Sequence, residues 1–214
     1  MLAHIGGRPM VLWVAAAAAR ARRVTTVHVA TDSDRIAAAC EAASVHVIRT
    51  SPDCRSGTER VAEAARASAA PWILNIQGDE PQVDPRALDL LIGTCLSDDA
   101  PMGSLMTPLS DGWERDSEDV VKVRSNRGYA TDFRRRVTGT GWQRHVGVYL
   151  FRRDTLQALQ ARRPSARERL ERLEQHRALA HGVEIRMVTV DAAAHGVDTP
   201  TDLARVRAAV TPHV

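Results

Sequence analysis

Two adjacent carboxylates, Asp79 and Glu80, follow a short apolar run and are well placed for chemistry. The run, residues 73–76, is typical of a strand buried on both faces of a sheet, and Gly78 and Pro81 end it. In open α/β sheets, ligands bind outside the carboxyl ends of the strands, where these acids fall. Carboxylates there can hold Mg²⁺, which prefers one or two carboxylates together with phosphate oxygens. The alternative is that Asp79 caps the next helix and Glu80 is solvated.

A second candidate is the sequence Ser56-Gly57-Thr58-Glu59-Arg60, just before an Ala-rich helix. A Ser or Thr at a helix N-cap is followed by backbone N–H groups that form an anion site, and Gly57 allows a ligand to approach the backbone. Arg60 presents a planar fork to a phosphate, a carboxylate or a base edge. On spacing alone, a plain helix cap with a solvated Arg60 is the favoured interpretation.

A third acidic candidate, Asp198, lies within residues 196–203. Thr199 has the position of an N-cap and Asp202 that of the acid three residues later, which is a variant of the capping box. Capping therefore accounts for Thr199 and Asp202 but not for Asp198, which precedes the cap at the end of a strand-like segment. Asp198 could face Asp79 across the carboxyl edge of the sheet and complete a metal site.

His145 and Tyr149 share one face of a strand-like segment because side chains alternate along a strand. Val146 and Val148 fall on the other face, which is apolar and belongs to the core. The polar face then meets solvent or a ligand, so a structural role and a ligand-binding role both stay open for His145. Two further polar residues, on an arginine-rich helix that would ordinarily place them at the surface, are Glu174 and Gln175.

The elements that must position these residues alternate between strand and helix in the first half of the chain. Strands that alternate with helices of roughly ten to fifteen residues indicate βαβ units and a parallel sheet. The predicted strands cover residues 25–30, 45–48, 72–77 and 102–106, and the predicted helices cover residues 9–22, 34–43, 58–69 and 85–95.

The pattern changes over about residues 118–152, where short strands separated by turn residues predict an antiparallel excursion. We predict one domain over residues 1–214, an α/β fold with a Rossmann-like mixed, mainly parallel sheet flanked by helices. A helix opens the chain, so the first strand, whose loop binds phosphate in doubly wound sheets, is missing. Strands are predicted in this second half at residues 120–124, 129–133, 146–151 and 183–190, and helices at residues 154–161, 166–180 and 200–210.

Composition excludes several classes of protein. The 214 residues are 44% hydrophobic and 26% charged, which is ordinary for a globular domain. The net charge is +3, and Lys122 is the only lysine among 29 basic residues, which are interspersed with acids. We therefore expect no nucleic-acid partner and no membrane partner. The 3 cysteines have irregular spacing, which indicates free thiols and a cytoplasmic protein.

The common nucleotide-binding and hydrolase motifs are absent from the sequence. It contains no Gly-x-x-x-x-Gly-Lys and no Gly-x-Gly-x-x-Gly, which removes the usual support for a P-loop NTPase or a dinucleotide-binding protein. It also lacks Gly-x-Ser-x-Gly, the mark of a nucleophile elbow.

Taken jointly, these sequences resemble the CMP-KDO synthetases, the 3-deoxy-manno-octulosonate cytidylyltransferases. Ser-Gly-Thr-Glu-Arg, Gln-Gly-Asp-Glu-Pro and Gly-Val-Asp-Thr-Pro, in that order, form a specific combination, and the resemblance covers nearly the whole chain. The segments that carry it are residues 30–32, 56–60, 75–81, 121–123, 128–130, 144–149, 173–175 and 196–203.

The resemblance implies a fold of the nucleotide-diphospho-sugar transferase type and a Mg²⁺-dependent homodimer that takes CTP and a small sugar acid. Such an enzyme joins the anomeric hydroxyl of KDO to the α-phosphate of CTP and releases pyrophosphate, for lipopolysaccharide or other surface-glycan synthesis. By position, the resemblance makes Asp79 and Asp198 the catalytic metal ligands. It assigns the nucleotide to Ser56, Gly57, Thr58, Arg60 and Gln77, and the sugar acid to His145, Tyr149, Glu174 and Gln175.

Two departures from the family pattern are visible. The family begins with a strand and an Arg/Lys-bearing, glycine-containing loop that cradles the triphosphate, and this chain starts after that loop. Our hypothesis is that Met1 is an internal methionine of a longer chain; the alternative is a shortened, non-catalytic nucleotide-binding paralogue. In addition, residues 134–142 are shorter than in the family and place Arg134, Arg135 and Gly139 where it has Ser-Arg followed by Pro. That segment binds sugar and forms the dimer in the family, so another sugar acid is a further alternative.

Overall fold

The computed structural model describes residues 1–110 and 112–210. Their contacts group into two compact units, each assembled from separate stretches of the chain. Unit 1 consists of Met1–Ser68, Ile76–Asp89 and Ala194–Val214, and unit 2 consists of Ala69–Asn75 and Leu90–Ala193. The prediction of one domain with an excursion stays a prediction.

Strands and helices alternate over much of the described chain. The strands are β1 (His4–Ile5), β2 (Arg8–Pro9), β3 (Val29–Thr31), β4 (Val47–Arg49), β5 (Trp72–Ile76), β6 (Met102–Thr107), β7 (Lys122–Asn126), β8 (Tyr129–Arg134), β9 (Gln143–Arg152) and β10 (Ile185–Thr189). The α-helices are α1 (Met10–Arg20), α2 (Asp34–Ala42), α3 (Gly57–Ala64), α4 (Pro85–Ser97), α5 (Trp113–Asp116), α6 (Arg153–Gln160), α7 (Ala166–Glu171), α8 (Gln175–Ala180) and α9 (Pro200–Ala209).

The largest sheet is mixed, as the sequence predicts. Its six strands have the order β5-β9-β6-β10-β8-β7, with β7 also paired to β9. Strand β10 runs parallel to β6 and antiparallel to β8, and β9 runs antiparallel to β6. In unit 1, β3 and β4 form a separate two-stranded parallel sheet, and β1 and β2 form an antiparallel hairpin that the sequence did not predict.

Each unit has its own apolar core. In unit 1, Val11 and Leu12 of α1 pack with Cys40 of α2 against residues of β3 and β4. In unit 2, all six residues of β6 are buried, as expected for a strand covered on both faces. The fully buried Phe133 on β8 also belongs to unit 2. A bulge separates Ser104 from Leu105 in the pairing of β6 with β9.

One predicted helix is wrong. Residues 166–180 form two short helices, because Arg172 adopts a left-handed conformation with φ of 55° and ends α7. The break allows Leu173 to be buried at 4% exposure, while Leu170 on α7 stays 81% exposed. Burial of Leu173 thus accompanies a break that helical periodicity alone did not indicate.

No helix in the described parts of the chain, residues 1–110 and 112–210, has the length and apolar character needed to cross a bilayer.

Candidate functional site

Asp79 lies in the turn after β5 and does not cap the following helix. Helix α4 begins at Pro85, and the Asp84 carboxylate accepts a hydrogen bond from the backbone N–H of Arg86 at 2.9 Å. The cap is therefore Asp84, so the capping interpretation of Asp79 is wrong. The reason is that the turn extends several residues beyond Pro81 before the helix starts.

The Asp79 carboxylate is partly withdrawn from water. Burial raises its pKa, and its own backbone N–H and the Met1 α-amino group oppose that rise. The raised pKa means that the folded protein disfavours the charged form of Asp79 relative to water. A cation beside the carboxylate would offset this desolvation.

The segment that carries Asp198 runs alongside Asp79. The backbone N–H of Val197 donates to the Asp79 carbonyl at 2.8 Å. A Cβ atom on Gly196 would lie 3.5 Å from that carbonyl and 3.5 Å from Glu80 Oε1, so the two segments are in close contact. Asp198 itself is exposed, and its backbone N–H bonds the Asp202 carboxylate. The structure therefore brings together the two segments that carry the predicted metal ligands.

Capping holds this segment in place. Thr199 and Asp202 form a capping box at the start of α9, in which the Thr199 side chain accepts from the Asp202 N–H at 3.2 Å and the Asp202 carboxylate accepts from the Thr199 N–H at 2.9 Å. The predicted caps are confirmed, and Asp198 immediately precedes them and adds a backbone hydrogen bond to the Asp202 carboxylate.

The donor set at Asp79 and Asp198 suits one kind of metal. In residues 1–110 and 112–210, no group of three or more His, Cys, Asp or Glu side chains is arranged to hold a metal ion. A cage made of protein ligands alone is therefore not present in that part of the chain. Mg²⁺ needs no such cage, since one or two carboxylates and substrate phosphates suffice. The two carboxylates fit Mg²⁺ on that basis.

The start of α3 brings Ser56, Gly57 and Gln77 together. The Ser56 side chain caps the helix by accepting from the Glu59 N–H at 3.2 Å. Gly57 packs against the Gln77 amide, since a Cβ at position 57 would lie 2.9 Å from Gln77 Oε1. Thr58, the next residue of the helix, is buried. The favoured capping interpretation is thus correct for Ser56, and the same residues place a primary amide beside a helix N-terminus.

Arg60 is not solvated as a plain cap would leave it. Its guanidinium donates to Thr50 Oγ1 at 2.6 Å and lies 3.1 Å from Asp32 Oδ1. Its side chain is only 20% exposed. Two anchors on other elements thus fix the direction of the guanidinium fork, which is the preorganisation that recognition of an anion or a base requires.

In unit 2, His145 is buried within a ring of polar and aromatic side chains. Its Nε2 lies 2.8 Å from Ser104 Oγ, and its ring centroid lies 5.4 Å from those of Tyr149 and Phe133. Burial, and to a smaller extent the charge of Arg144, lowers the pKa of His145 to about 3. The imidazole is therefore neutral at physiological pH.

Tyr149 and Gln175 are joined directly. Gln175 Nε2 donates to the Tyr149 hydroxyl at 2.6 Å, although the two residues are 26 positions apart. Gln175 is 5% exposed, and its Oε1 is buried without a hydrogen-bond partner among the described residues. A buried acceptor without a donor is costly, which makes this oxygen a natural contact for a ligand hydroxyl.

The helix break delivers Glu174 and Gln175 to this place. Glu174 is the N-cap residue of α8 and half-buried, and Gln175 is the first helical residue. Their expected surface position on one long helix is therefore wrong for Gln175. Across the break, Arg177 on α8 pairs with Glu168 on α7, and both side chains are less than a tenth exposed, at 6% and 8%.

Lys122, and the residues that depart from the family pattern, make hydrogen bonds and ion pairs within the protein. Lys122 has 0% exposure, and its ammonium donates to the carbonyls of Ser117 and Arg135. Arg134 pairs with Asp132, and the Gly139 carbonyl accepts from Arg115. The sole lysine is thus committed to the backbone and cannot contact a phosphate in this conformation.

Sequence reasoning missed three supporting residues. Thr50 and Asp32 orient Arg60, and Ser104 contacts His145. A polar residue inside the apolar β6 segment was a signal for Ser104, and the Ala-Thr-Asp sequence ending β3 was one for Asp32. Nothing in the sequence indicated the partner of either residue.

Solved structures place this fold among the nucleotidyltransferases. The structure of a CMP:2-keto-3-deoxy-manno-octonic acid synthetase complexed with CTP matches with a TM-score of 0.91 and 34% identity, covering 97% of this chain and 90% of that one. A 4-diphosphocytidyl-2C-methyl-D-erythritol synthase matches with a TM-score of 0.69 at 20% identity, over 98% of this chain and 94% of that one. The latter likeness concerns the fold alone.

Sequence relatives identify the family. A family model described as cytidylyltransferase matches residues 1–185. The 3-deoxy-manno-octulosonate cytidylyltransferase of Chlorobium limicola is 42% identical over 219 residues, which cover 97% of this chain and 89% of the relative. That of Anaeromyxobacter dehalogenans is 41% identical over 218 residues, with coverage of 97% and 89%. The chain belongs to the 3-deoxy-manno-octulosonate cytidylyltransferase family, so the resemblance is confirmed.

Proposed function

We propose that this protein transfers CMP from CTP to the anomeric hydroxyl of KDO or a KDO-like sugar acid and releases pyrophosphate. The observation that carries the proposal is the assembly within unit 1. Residues 56–60 meet Gln77, and residues 196–198 meet Asp79, although these segments are far apart in the chain. Each segment matches one of the family motifs, so the motifs converge as a nucleotide site requires.

The nucleotide is assigned to unit 1. Arg60, oriented by Thr50 and Asp32, would bind an anionic or polar edge of CTP, and Gln77 would donate or accept through its amide. The N-terminus of α3 adds a favourable dipole for negative charge. Mg²⁺ held by Asp79, Asp198 and the phosphates of CTP would supply charge neutralisation at the triphosphate.

The sugar acid is assigned to unit 2. The Gln175 Oε1 acceptor and the neutral His145 ring suit hydroxyl groups, and Tyr149 is held by Gln175. In the reaction, the anomeric oxygen forms a bond to the α-phosphorus, the bond from that phosphorus to the bridging oxygen breaks, and pyrophosphate leaves. The proton of the hydroxyl is released to solvent water. Such transfer depends mainly on alignment and charge stabilisation, which oriented side chains supply.

We also propose that the protein acts as a cytoplasmic homodimer in lipopolysaccharide or other surface-glycan synthesis. The support is family membership, since the assembly and the pathway follow from the family pattern. Light scattering of the purified protein measures the dimer directly.

The decisive experiment is a pyrophosphate-release assay with CTP, KDO and Mg²⁺. We expect turnover that needs all three and stops on chelation of the metal. The same assay with a nonulosonic acid in place of KDO tests which sugar acid is the substrate, because residues 134–142 depart from the family pattern. If calorimetry shows that CTP binds but the assay shows no turnover, the proposed enzymatic activity is contradicted and a nucleotide-binding paralogue is favoured.

A further inference from the structure

The buried Ser104 contacts His145, one of the residues assigned to the sugar acid. Ser104 lies on β6 at the bulge in its pairing with β9, where Ser104 is opposite Tyr149 and Leu105 is opposite Val146. The bulge leaves two β9 carbonyls near one hydroxyl: Ser104 Oγ lies 2.7 Å from Val148 O and 3.4 Å from Val146 O. Bulges disrupt the backbone ladder, so a side chain that satisfies such a carbonyl stabilises them.

The Ser104 hydroxyl has one hydrogen. That hydrogen decides which atom donates in the contacts of Ser104 with Val148 and His145. Carbonyl oxygens can only accept, so the 2.7 Å contact with Val148 O consumes the serine hydrogen. The 2.8 Å contact with His145 Nε2 then requires the imidazole N–H to be the donor and Ser104 Oγ the acceptor. The reverse direction would leave two oxygens, Oγ and Val148 O, in contact without a hydrogen between them.

A neutral imidazole has one N–H and one lone pair. With the hydrogen on Nε2, the lone pair of His145 resides on Nδ1. We propose that Ser104 is a positioning residue that fixes the Nε2–H tautomer of His145, so that Nδ1 is the acceptor for a hydroxyl of the sugar-acid substrate. The substrate part of this proposal rests on the proposed function, whereas the tautomer does not.

Ser104 acts through His145 and not on the ligand. Ser104 has 0% exposure, while His145 retains 8%. Burial keeps His145 uncharged, so its Nδ1 remains a hydrogen-bond acceptor at neutral pH. Gln175 donates to the hydroxyl of Tyr149, whose ring lies 5.4 Å from that of His145, and its Oε1 is also an acceptor without a partner among the described residues. His145 Nδ1 and Gln175 Oε1, as two acceptors, select a ligand that presents hydroxyl hydrogens, as a polyhydroxylated sugar does.

The test is the imidazole ¹⁵N spectrum of the ligand-free protein, with His145→Gln used to assign the His145 signals. We expect the Nε2–H tautomer in the unsubstituted protein, a mixture of tautomers in Ser104→Ala, and recovery in Ser104→Thr, which keeps the hydroxyl. His176 is an internal control. Its ring bonds the Phe133 carbonyl and its Nε2 has no partner among the described residues, so it should show Nδ1–H in all variants.

Kinetics extend the test to the substrate. Ser104→Ala should raise the KM for the sugar acid about ten-fold, the effect of one poorly oriented buried hydrogen bond, and leave the KM for CTP unchanged. Thr107→Val, a buried hydroxyl lost from the same strand at the position paired with Arg144, should leave both KM values unchanged. An Nδ1–H tautomer of His145 in the unsubstituted protein, or an unaltered spectrum in Ser104→Ala, would overturn the proposal. The expected spectra in a protein without turnover would contradict the proposed function alone.

Discussion

The side-chain amide of Gln77 lies against the backbone of Gly57, so closely that a Cβ atom at position 57 would come within 2.9 Å of Gln77 Oε1. The two residues are separated by the whole of α3 and β5, and both are assigned to the nucleotide. Their contact shows how a glycine at a helix start can be required by a neighbouring side chain.

Gly57→Ala should therefore displace the Gln77 amide and weaken CTP binding several-fold, with little loss of stability because the end of a glutamine side chain can move. The measurement is calorimetric CTP affinity. In a Gln77→Ala background the same substitution should have no further effect, since its partner atom is gone. Additive losses in the double variant would contradict the contact.

Arg60→Ala should weaken CTP binding by about ten-fold, the loss of one or two charge-assisted hydrogen bonds. The free energy of unfolding should change little, because Asp32 is exposed to water and the buried Thr50 hydroxyl loses a single hydrogen bond, worth about 1 kcal/mol. Calorimetry measures the affinity, and Arg66→Ala, an exposed arginine after α3, is the matched control. Unchanged CTP affinity in Arg60→Ala would remove this residue from the nucleotide site.

Asp79→Asn should abolish Mg²⁺-dependent pyrophosphate release and leave the fold intact. Burial raises the pKa of Asp79, so ionisation in the folded state lowers stability once the pH exceeds the pKa of the unfolded chain. The asparagine amide of the variant carries no charge. The Tm of the variant at neutral pH should therefore equal or exceed that of the unsubstituted protein. Asp53→Asn, at an exposed carboxylate, serves as control. Turnover retained in Asp79→Asn would rule out an essential metal ligand.

His145 should make stability depend on pH between about 6.5 and about 3. Over this range the unfolded chain takes up a proton that the buried imidazole cannot, so stability falls as the pH falls, with a slope of about 1.4 kcal/mol per pH unit from this group. Urea unfolding from pH 7 to pH 4 measures the slope. His145→Gln should reduce it, while the exposed His181→Gln is the control. Equal slopes for His145→Gln and the unsubstituted protein would exclude a neutral buried His145.

Arg177→Ala should destabilise the protein by about 3–5 kcal/mol, because it leaves the Glu168 carboxylate buried without its charge partner. The double variant Arg177→Met with Glu168→Gln should recover much of that loss, since it removes both charges. Urea unfolding gives both values. The pair crosses the break at Arg172, so Arg177→Ala should also raise the KM for the sugar acid by loosening Gln175. A loss below 1 kcal/mol would indicate that the pair does not hold α7 and α8 together.

Features that depend on neighbours along the chain could be predicted before the structure was known. The order of strands and helices apart from β1, β2 and α5, the capping box of Thr199 and Asp202 and the cap at Ser56 follow from local rules of hydrogen bonding and periodicity. Family membership was also readable, because it rests on the order of short motifs. Local propensity failed at Arg172, where burial of Leu173 accompanied the break of a regular helical pattern.

Which side chains contact one another became clear only from the folded chain. That Thr50 and Asp32 orient Arg60, and that Ser104 bonds His145 across a bulge, depends on contacts between separate elements. Such pairings are set by strand register and by the burial of polar groups that must find a partner once water is excluded. A sequence pattern specifies the face on which a residue lies, whereas packing selects the atom it meets.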